Sequence, residues 1–227
     1  MRFLEDKRNT EYQMHTGHIQ LEQVLPAEIE NRSFEIIQDE LAAMGKVLDP
    51  VQDLLIRRAI HTTADFDYAD NLVFSEGAVE AGLNALREGA VIITDTNMAW
   101  SGINKKKLSE YGGKAYCFMS DEDVAKEAQE RGCTRAAICM ERGAALGKEV
   151  IFAVGNAPTA LIRLYELIQE GKVNPALIIG APVGFVNVVE AKELIMTAGV
   201  PYIVPKGRKG GSNIAATICN AMLYYKG

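Results

Sequence analysis

Histidine and cysteine are scarce in these 227 residues, with three of the first and four of the second. Cys117, Cys133, Cys139 and Cys219 form no CxxC pair, so neither a zinc site nor a disulfide framework is expected, and the thiols read as small buried apolar groups. His15 and His18 stand close together, but no third ligand follows at useful spacing, and no protein-bound metal is predicted. Long apolar runs are also missing. No stretch reaches membrane-spanning length, and the opening segment MRFLEDKRNTEYQMHTGHIQLEQV lacks the continuous apolar core of a secretion signal. A cytoplasmic protein without a membrane partner is the expectation. Positive charge is not in excess either. A formal net charge of −6 argues against a broad nucleic-acid surface, while leaving room for a local anion pocket. Finally, there is no Walker sequence and no GxGxxG after the first strand, so no nucleotide or nicotinamide cofactor is expected.

What is present suits an ordinary globule: 48% hydrophobic and 24% charged residues, with 20 glycines for tight turns. One α/β domain over residues 26–227, preceded by an extension over residues 1–25, is the expected organisation. The first helix is predicted from Pro26, with Ile29, Ile36, Ile37, Leu41 and Met44 as its apolar face and Arg32 and Ser33 near its middle. Asp49-Pro50 is predicted to open the next, with Asp49 as N-cap and Gln52 completing a capping box. Ser75 is then expected to cap SEGAVEAGLNALREG, and Ser120 with Asp123 a later helix. Thr134 is expected to cap another that begins at Arg135.

From residue 91 onward the chain alternates strand and helix. VIITD, KAYCFM, EVIFAVG, ALIIGA and PYIVP read as five strands, each followed by turn residues and, except at the end of the series, by helical periodicity before the next strand. This pattern predicts a doubly wound, mostly parallel sheet with flanking helices. In such sheets ligands bind beyond the carboxyl ends of the strands. Asp95, Asn156, Pro182 and the segment after Pro205 should therefore converge on one crevice.

Two stretches carry chemistry. RRAIHTTADFDYAD places His61 directly after an apolar helical run, where it can be a capping structural group or a proton donor open to a pocket. KGRKGGSNIAATICNAM combines Arg208 and Lys209 with Gly207, Gly210 and Gly211, and Ser212 starts a helix whose free N–H groups favour an anion. The same stretch can also be a plain tight connection. VNVV in GAPVGFVNVVEAKE reads as core.

Taken in order, IENRSFEII, RRAIHTTADFDYAD, GNAPTAL, GAPVGFVNVVEAKE and GRKGGS resemble the signature stretches of the precorrin-8X methylmutases, known in the anaerobic pathway as cobalt-precorrin-8 methylmutases. The likeness runs from Ile29 to near the end of the chain. It implies an isomerase of cobalamin biosynthesis that moves a methyl group from C11 to C12 of a corrinoid ring, without an external methyl donor. It also implies compact α/β subunits paired as homodimers, with the substrate near the subunit boundary. Carried over residue by residue, the catalytic histidine falls on His61, and Arg58 matches a basic residue of the same motif. Ser33 matches the serine of the SF motif, Arg135 an arginine that follows a helix-opening threonine, and Asp95 an aspartate after the first sheet strand. A ring rimmed with carboxylates needs cationic and N–H donors, for which Arg32, Arg58, Arg135, Asn156, Arg208, Gly210, Gly211 and Ser212 are the candidates. Another tetrapyrrole-modifying enzyme, or a noncatalytic corrinoid-binding protein, would share such a pocket, and product formation separates the three.

Overall fold

The computed structural model describes residue 22 and residues 24–225. The described residues begin with three helices, α1 (Ile29–Ala43), α2 (Asp53–Thr63) and α3 (Tyr68–Asn71), and a short strand β1 (Leu72–Phe74). Helix α4 (Ala78–Arg87) leads to β2 (Val91–Thr94), followed by α5 (Asn97–Gly102), α6 (Lys105–Glu110) and β3 (Lys114–Tyr116). Helices α7 (Glu122–Arg131) and α8 (Arg135–Ala144) precede β4 (Val150–Val154). The rest alternates: α9 (Pro158–Gln169), β5 (Leu177–Gly180), α10 (Val188–Met196), β6 (Tyr202–Pro205) and α11 (Ser212–Leu223).

The six strands among the described residues form one sheet in the order β1-β6-β5-β4-β2-β3. All neighbours are parallel except β1, which runs antiparallel to β6 with Val73 opposite Val204. The doubly wound expectation therefore stands, with a sixth strand added. Alternation along the strands splits the apolar residues between two cores. Ile92, Ile151, Ala153 and Ile179 face a core shared with α1, α2, α4 and α11. Val91, Ile93, Phe152 and Ile178 face one shared with α7, α8, α9 and α10. Strands buried on both faces are why VIIT, VIFAV and LIIG read as unbroken apolar runs.

Several local expectations are corrected. Pro26 lies in a turn ahead of α1, which starts at Ile29. Ile29, Ile36 and Met44 are exposed and only Ile37 and Leu41 of the expected face are buried, because α1 packs chiefly on one neighbour, α2. Asp49 accepts from the Val51 amide at 2.8 Å, an Asx turn that leaves Gln52 as the residue flanking α2. Ser75 caps nothing: its hydroxyl accepts from the Tyr202 amide at 3.0 Å, and Gly77 in the left-handed region opens α4. Ser120 accepts from Asn97 at 2.7 Å, leaving Asp121 to flank α7. Thr134 does cap α8, accepting from the Ala137 amide at 3.2 Å. Within VNVV, Val188 is core but Val186 is 78% exposed. His15 and His18 lie outside the described residues.

Candidate functional site

Helix α2 buries Leu55, Ile56, Ala59 and Ile60 and so turns Arg58, His61 and Thr62 away from the core. It stops at Ala64, whose left-handed φ of 54° lets its amide return to the Ile60 carbonyl. Along its outer side, between α1 and α11, runs a cleft of about 590 Å³. Arg58, His61 and Thr62 line one wall, Glu30 another, and Thr217, Asn220, Ala221 and Tyr224 of α11 and its end the third. The Thr62 and Thr217 hydroxyls meet at 3.0 Å.

His61 is exposed in this cleft, and the Phe34 ring stacks on its imidazole at 5.4 Å and 19°. Arg58 lies over the same Phe34 ring, 4.7 Å from its centroid, and donates to Glu30 at 2.7 Å. That guanidinium holds the Glu30 carboxyl below the usual carboxylate range. Arg57, one residue earlier, pairs with Asp53 on its own helix, and its buried Nε finds no acceptor among the described residues. Arg58, not Arg57, is therefore the cation that lines the cleft beside His61.

A second group gathers at the carboxyl ends of the strands. The chain reverses its winding between β2 and β4, where a doubly wound sheet leaves its crevice. Asp95 fills that point. It is 1% exposed, and its two oxygens accept from the amides of Gly155 at 2.7 Å, Asn156 at 2.9 Å and Ala157 at 2.7 Å. Burial pushes the Asp95 carboxyl up, against the pull of those three amides. This corrects the expectation of Asp95 on a ligand-facing rim: its acceptor capacity is committed to the loop that carries Asn156. The Asn156 side chain itself is exposed.

Beside it, Ser212 is nearly buried and its hydroxyl meets that of Thr96 at 2.7 Å. Arg208 is exposed and lies over the Phe185 ring at 5.2 Å. Gly210 and Gly211 adopt φ of 154° and 128°, and a Cβ on Gly210 would stand 2.3 Å from the Ala181 carbonyl oxygen. Lys209 pairs with Asp65 at 2.6 Å and with Asp67, tying the glycine-rich segment to the turn just after α2.

The structure thus brings Arg58 and His61 into one cleft, and Asn156, Arg208, Gly210, Gly211 and Ser212 into a neighbouring cluster. Arg32 and Ser33 lie on α1, where Arg32 pairs with Glu22 and Glu35 and the Ser33 hydroxyl donates to the Ile29 carbonyl. Arg135 starts α8 with its guanidinium 3.4 Å from the Met119 carbonyl, in neither group. Sequence reasoning missed Glu30, Phe34, Thr217, Asn220 and Tyr224. A signal existed for three of them: residues 217, 220 and 224 form a polar stripe at helical spacing on an otherwise apolar helix.

The precorrin-8X methylmutase family model (CbiC) matches residues 28–225. The cobalt-precorrin-8 methylmutase of Salmonella typhimurium is 44% identical over 204 residues, 88% of this chain and 95% of that protein. The precorrin-8X methylmutase of Pseudomonas aeruginosa is 38% identical over 196 residues, 86% of this chain and 93% of that one. Among solved structures, precorrin-8X methylmutase from Thermus thermophilus superposes with a TM-score of 0.78 at 40% identity, covering 86% of this chain and 96% of the other. With a match across nearly all of the described residues and a shared fold, this chain belongs to the precorrin-8X methylmutase family.

Proposed function

We propose that this protein isomerises precorrin-8X or cobalt-precorrin-8, moving one methyl group from C11 to C12 of the ring to give hydrogenobyrinate or cobyrinate in cobalamin biosynthesis. Residues 26–227 carry the activity. Cobalt, where present, belongs to the substrate. The observation that carries the assignment to this site is His61, exposed in an open cleft with its ring plane set by Phe34 and a guanidinium beside it.

The migration changes no atom count, so the protein needs no co-reactant. His61 donates a hydrogen bond or proton to the conjugated ring as electron density shifts during migration, and recovers it when the product's double bonds settle. Arg58 has two roles: it fixes Phe34 against His61, and it offers a cation to a peripheral carboxylate. Asn156, Arg208 and the backbone at Gly210 and Gly211 receive further carboxylates, with Arg32, Ser33 and Arg135 as outer contacts. Asp95 and Ser212 act by holding these loops.

We further infer a homodimer, which the exposed apolar residues Val183, Phe185 and Val186 beside the glycine-rich segment support. A cytoplasmic location is supported by four free thiols. No helix among the described residues is long and apolar enough to cross a membrane.

Purified protein supplied with each substrate form, followed by mass and absorbance, tests the reaction. A spectral conversion at unchanged mass is expected; its absence with both forms removes the isomerase assignment. His61→Ala is expected to keep its fold and substrate binding while turnover falls by about 10²–10⁴-fold.

A further inference from the structure

Beneath the glycine-rich segment lies an amine that the proposed chemistry does not use. Lys192 of α10 is 1% exposed, and no carboxylate among the described residues pairs with it. Its Nζ donates instead to two backbone carbonyls of one loop, that of Gly207 at 2.9 Å and that of Lys209 at 2.7 Å. Burial alone pulls this ammonium down to about 8. Placing a charged amine so deep is costly, and a structural carbonyl pair can be satisfied more cheaply by backbone N–H groups.

The arrangement of the loop gives the amine a purpose. Between the two carbonyls that Lys192 binds, the Arg208 carbonyl accepts from the Gly184 amide at 3.2 Å, and the Gly211 amide donates to Ala181 at 2.8 Å. Three successive carbonyls are thus engaged by the protein. The amides of Arg208, Lys209 and Gly210 find no acceptor among the described residues, and the exposed Arg208 side chain stands beside them. The contrast with the loop after β4 is direct, since there Asp95 consumes all three amides. At 207–211 the protein holds three carbonyls and leaves three neighbouring N–H groups without an acceptor among the described residues, donors of the kind that an oxyanion can use.

We propose that Lys192 is a positioning residue for substrate carboxylates: by clamping the Gly207 and Lys209 carbonyls, it holds the segment in the arrangement that presents Arg208 and the free amides of residues 208–210. The proposal rests on the assignment of this segment to substrate binding. Lys192 itself touches no substrate.

Steady-state kinetics on Lys192→Met, Arg208→Ala and the double variant, with thermal melting of each, test it. Methionine keeps the length and removes every donor. Lys192→Met is expected to raise KM at least tenfold with kcat within about threefold of the parent, as loss of uniform binding requires. Arg208→Ala is expected to raise KM too, and to add little in the Lys192→Met background, since the loop no longer presents it. A parent-like KM in Lys192→Met beside a raised KM in Arg208→Ala overturns the Lys192 role alone. Full additivity of the two overturns it as well. Parent-like KM values in both variants overturn the role together with the binding assignment of the segment. Should Lys192→Met not fold, Lys192→Gln, which retains N–H donors on a shorter stem, is expected to show an intermediate rise in KM, and a KM equal to the parent's overturns the proposal.

Discussion

Phe34 orders the two side chains on which the proposed chemistry depends, since its ring stacks on His61 and also lies under Arg58. An imidazole on an exposed helix end has free rotation about two bonds, and a face-on aromatic neighbour removes most of it. Catalytic geometry is sensitive to displacements of about 1 Å. Phe34→Leu is therefore expected to lower kcat by about tenfold or more, with little change in melting temperature, because Phe34 is only half-buried. A kcat within twofold of the parent would remove Phe34 from the site. This contact was not legible in the sequence. A phenylalanine in an amphipathic helix reads as core, and nothing in the spacing of Phe34 and His61 says that α1 lies across α2. Asp95 was visible as a polar residue at a strand end, but its burial was not, because it depends on β4 lying next to β2. Asp95→Asn replaces one acceptor by a donor facing the Gly155, Asn156 and Ala157 amides. A loss of about 1–3 kcal/mol in urea unfolding is expected; an unchanged midpoint would mean those bonds contribute nothing net.

Among elements, α11 links the two groups of candidate residues. Its first residue, Ser212, touches the loops after β2 and β4, and Thr217, Asn220 and Tyr224 at its end line the His61 cleft. The start of α11 is seated by Gly155. A Cβ there would stand 2.5 Å from the Ser212 Cα and 2.8 Å from its amide nitrogen, backbone atoms that cannot swing away. Gly155→Ala is expected to push α11 off the sheet edge, with a stability loss of about 1–3 kcal/mol from overpacking and a raised KM, read by urea unfolding and steady-state kinetics. Parent values of both would show that the loop yields freely. Element type was legible wherever period and length agreed, as in the apolar runs of β2, β4 and β5 and the Thr134 cap of α8. The capping residue was misread where a side chain had a better partner far along the chain, although the helices themselves formed as expected. Ser75 and Ser120 have cap-like spacing, but their hydroxyls are taken by Tyr202 and Asn97. Strand β1 escaped notice because three residues directly after a helical turn carry no periodicity, and its pairing partner β6 lies 130 residues later.

For the whole molecule, the sheet divides the interior into two cores, and each holds one fully buried thiol: Cys219 with α11 on one side and Cys139 with α8 on the other. Burial pushes both up to about 12, whereas an unfolded thiol titrates near about 8.5. The folded state therefore binds more protons than the unfolded chain between those limits, and the contribution present below about 8.5 is lost as pH rises through about 12. Tyr68, also raised to about 12 by burial, adds to this loss above about 10. Lys192 works in the other direction. Held down to about 8 in the fold against about 10.4 unfolded, it makes the unfolded chain the stronger proton binder in that interval, so its effect on stability rises with pH there. One amine opposes two thiols between about 8.5 and about 10.4, and above that nothing among these groups opposes the thiols and the phenol. Unfolding free energy is thus expected to be nearly level around pH 8, to decline gently to about pH 10, and to steepen beyond it, with Cys219 alone contributing a slope approaching about 1.4 kcal/mol per pH unit. Urea titrations between pH 7 and 11 on the parent and on a Cys139→Ala, Cys219→Ala double variant measure this. The variant starts less stable at pH 7 because two buried side chains have been shortened, but its alkaline slope should be the shallower of the two. Equal slopes would take the two thiols out of the alkaline loss and leave it to Tyr68 and to the surface charge of a protein that already carries a net −6 at neutral pH.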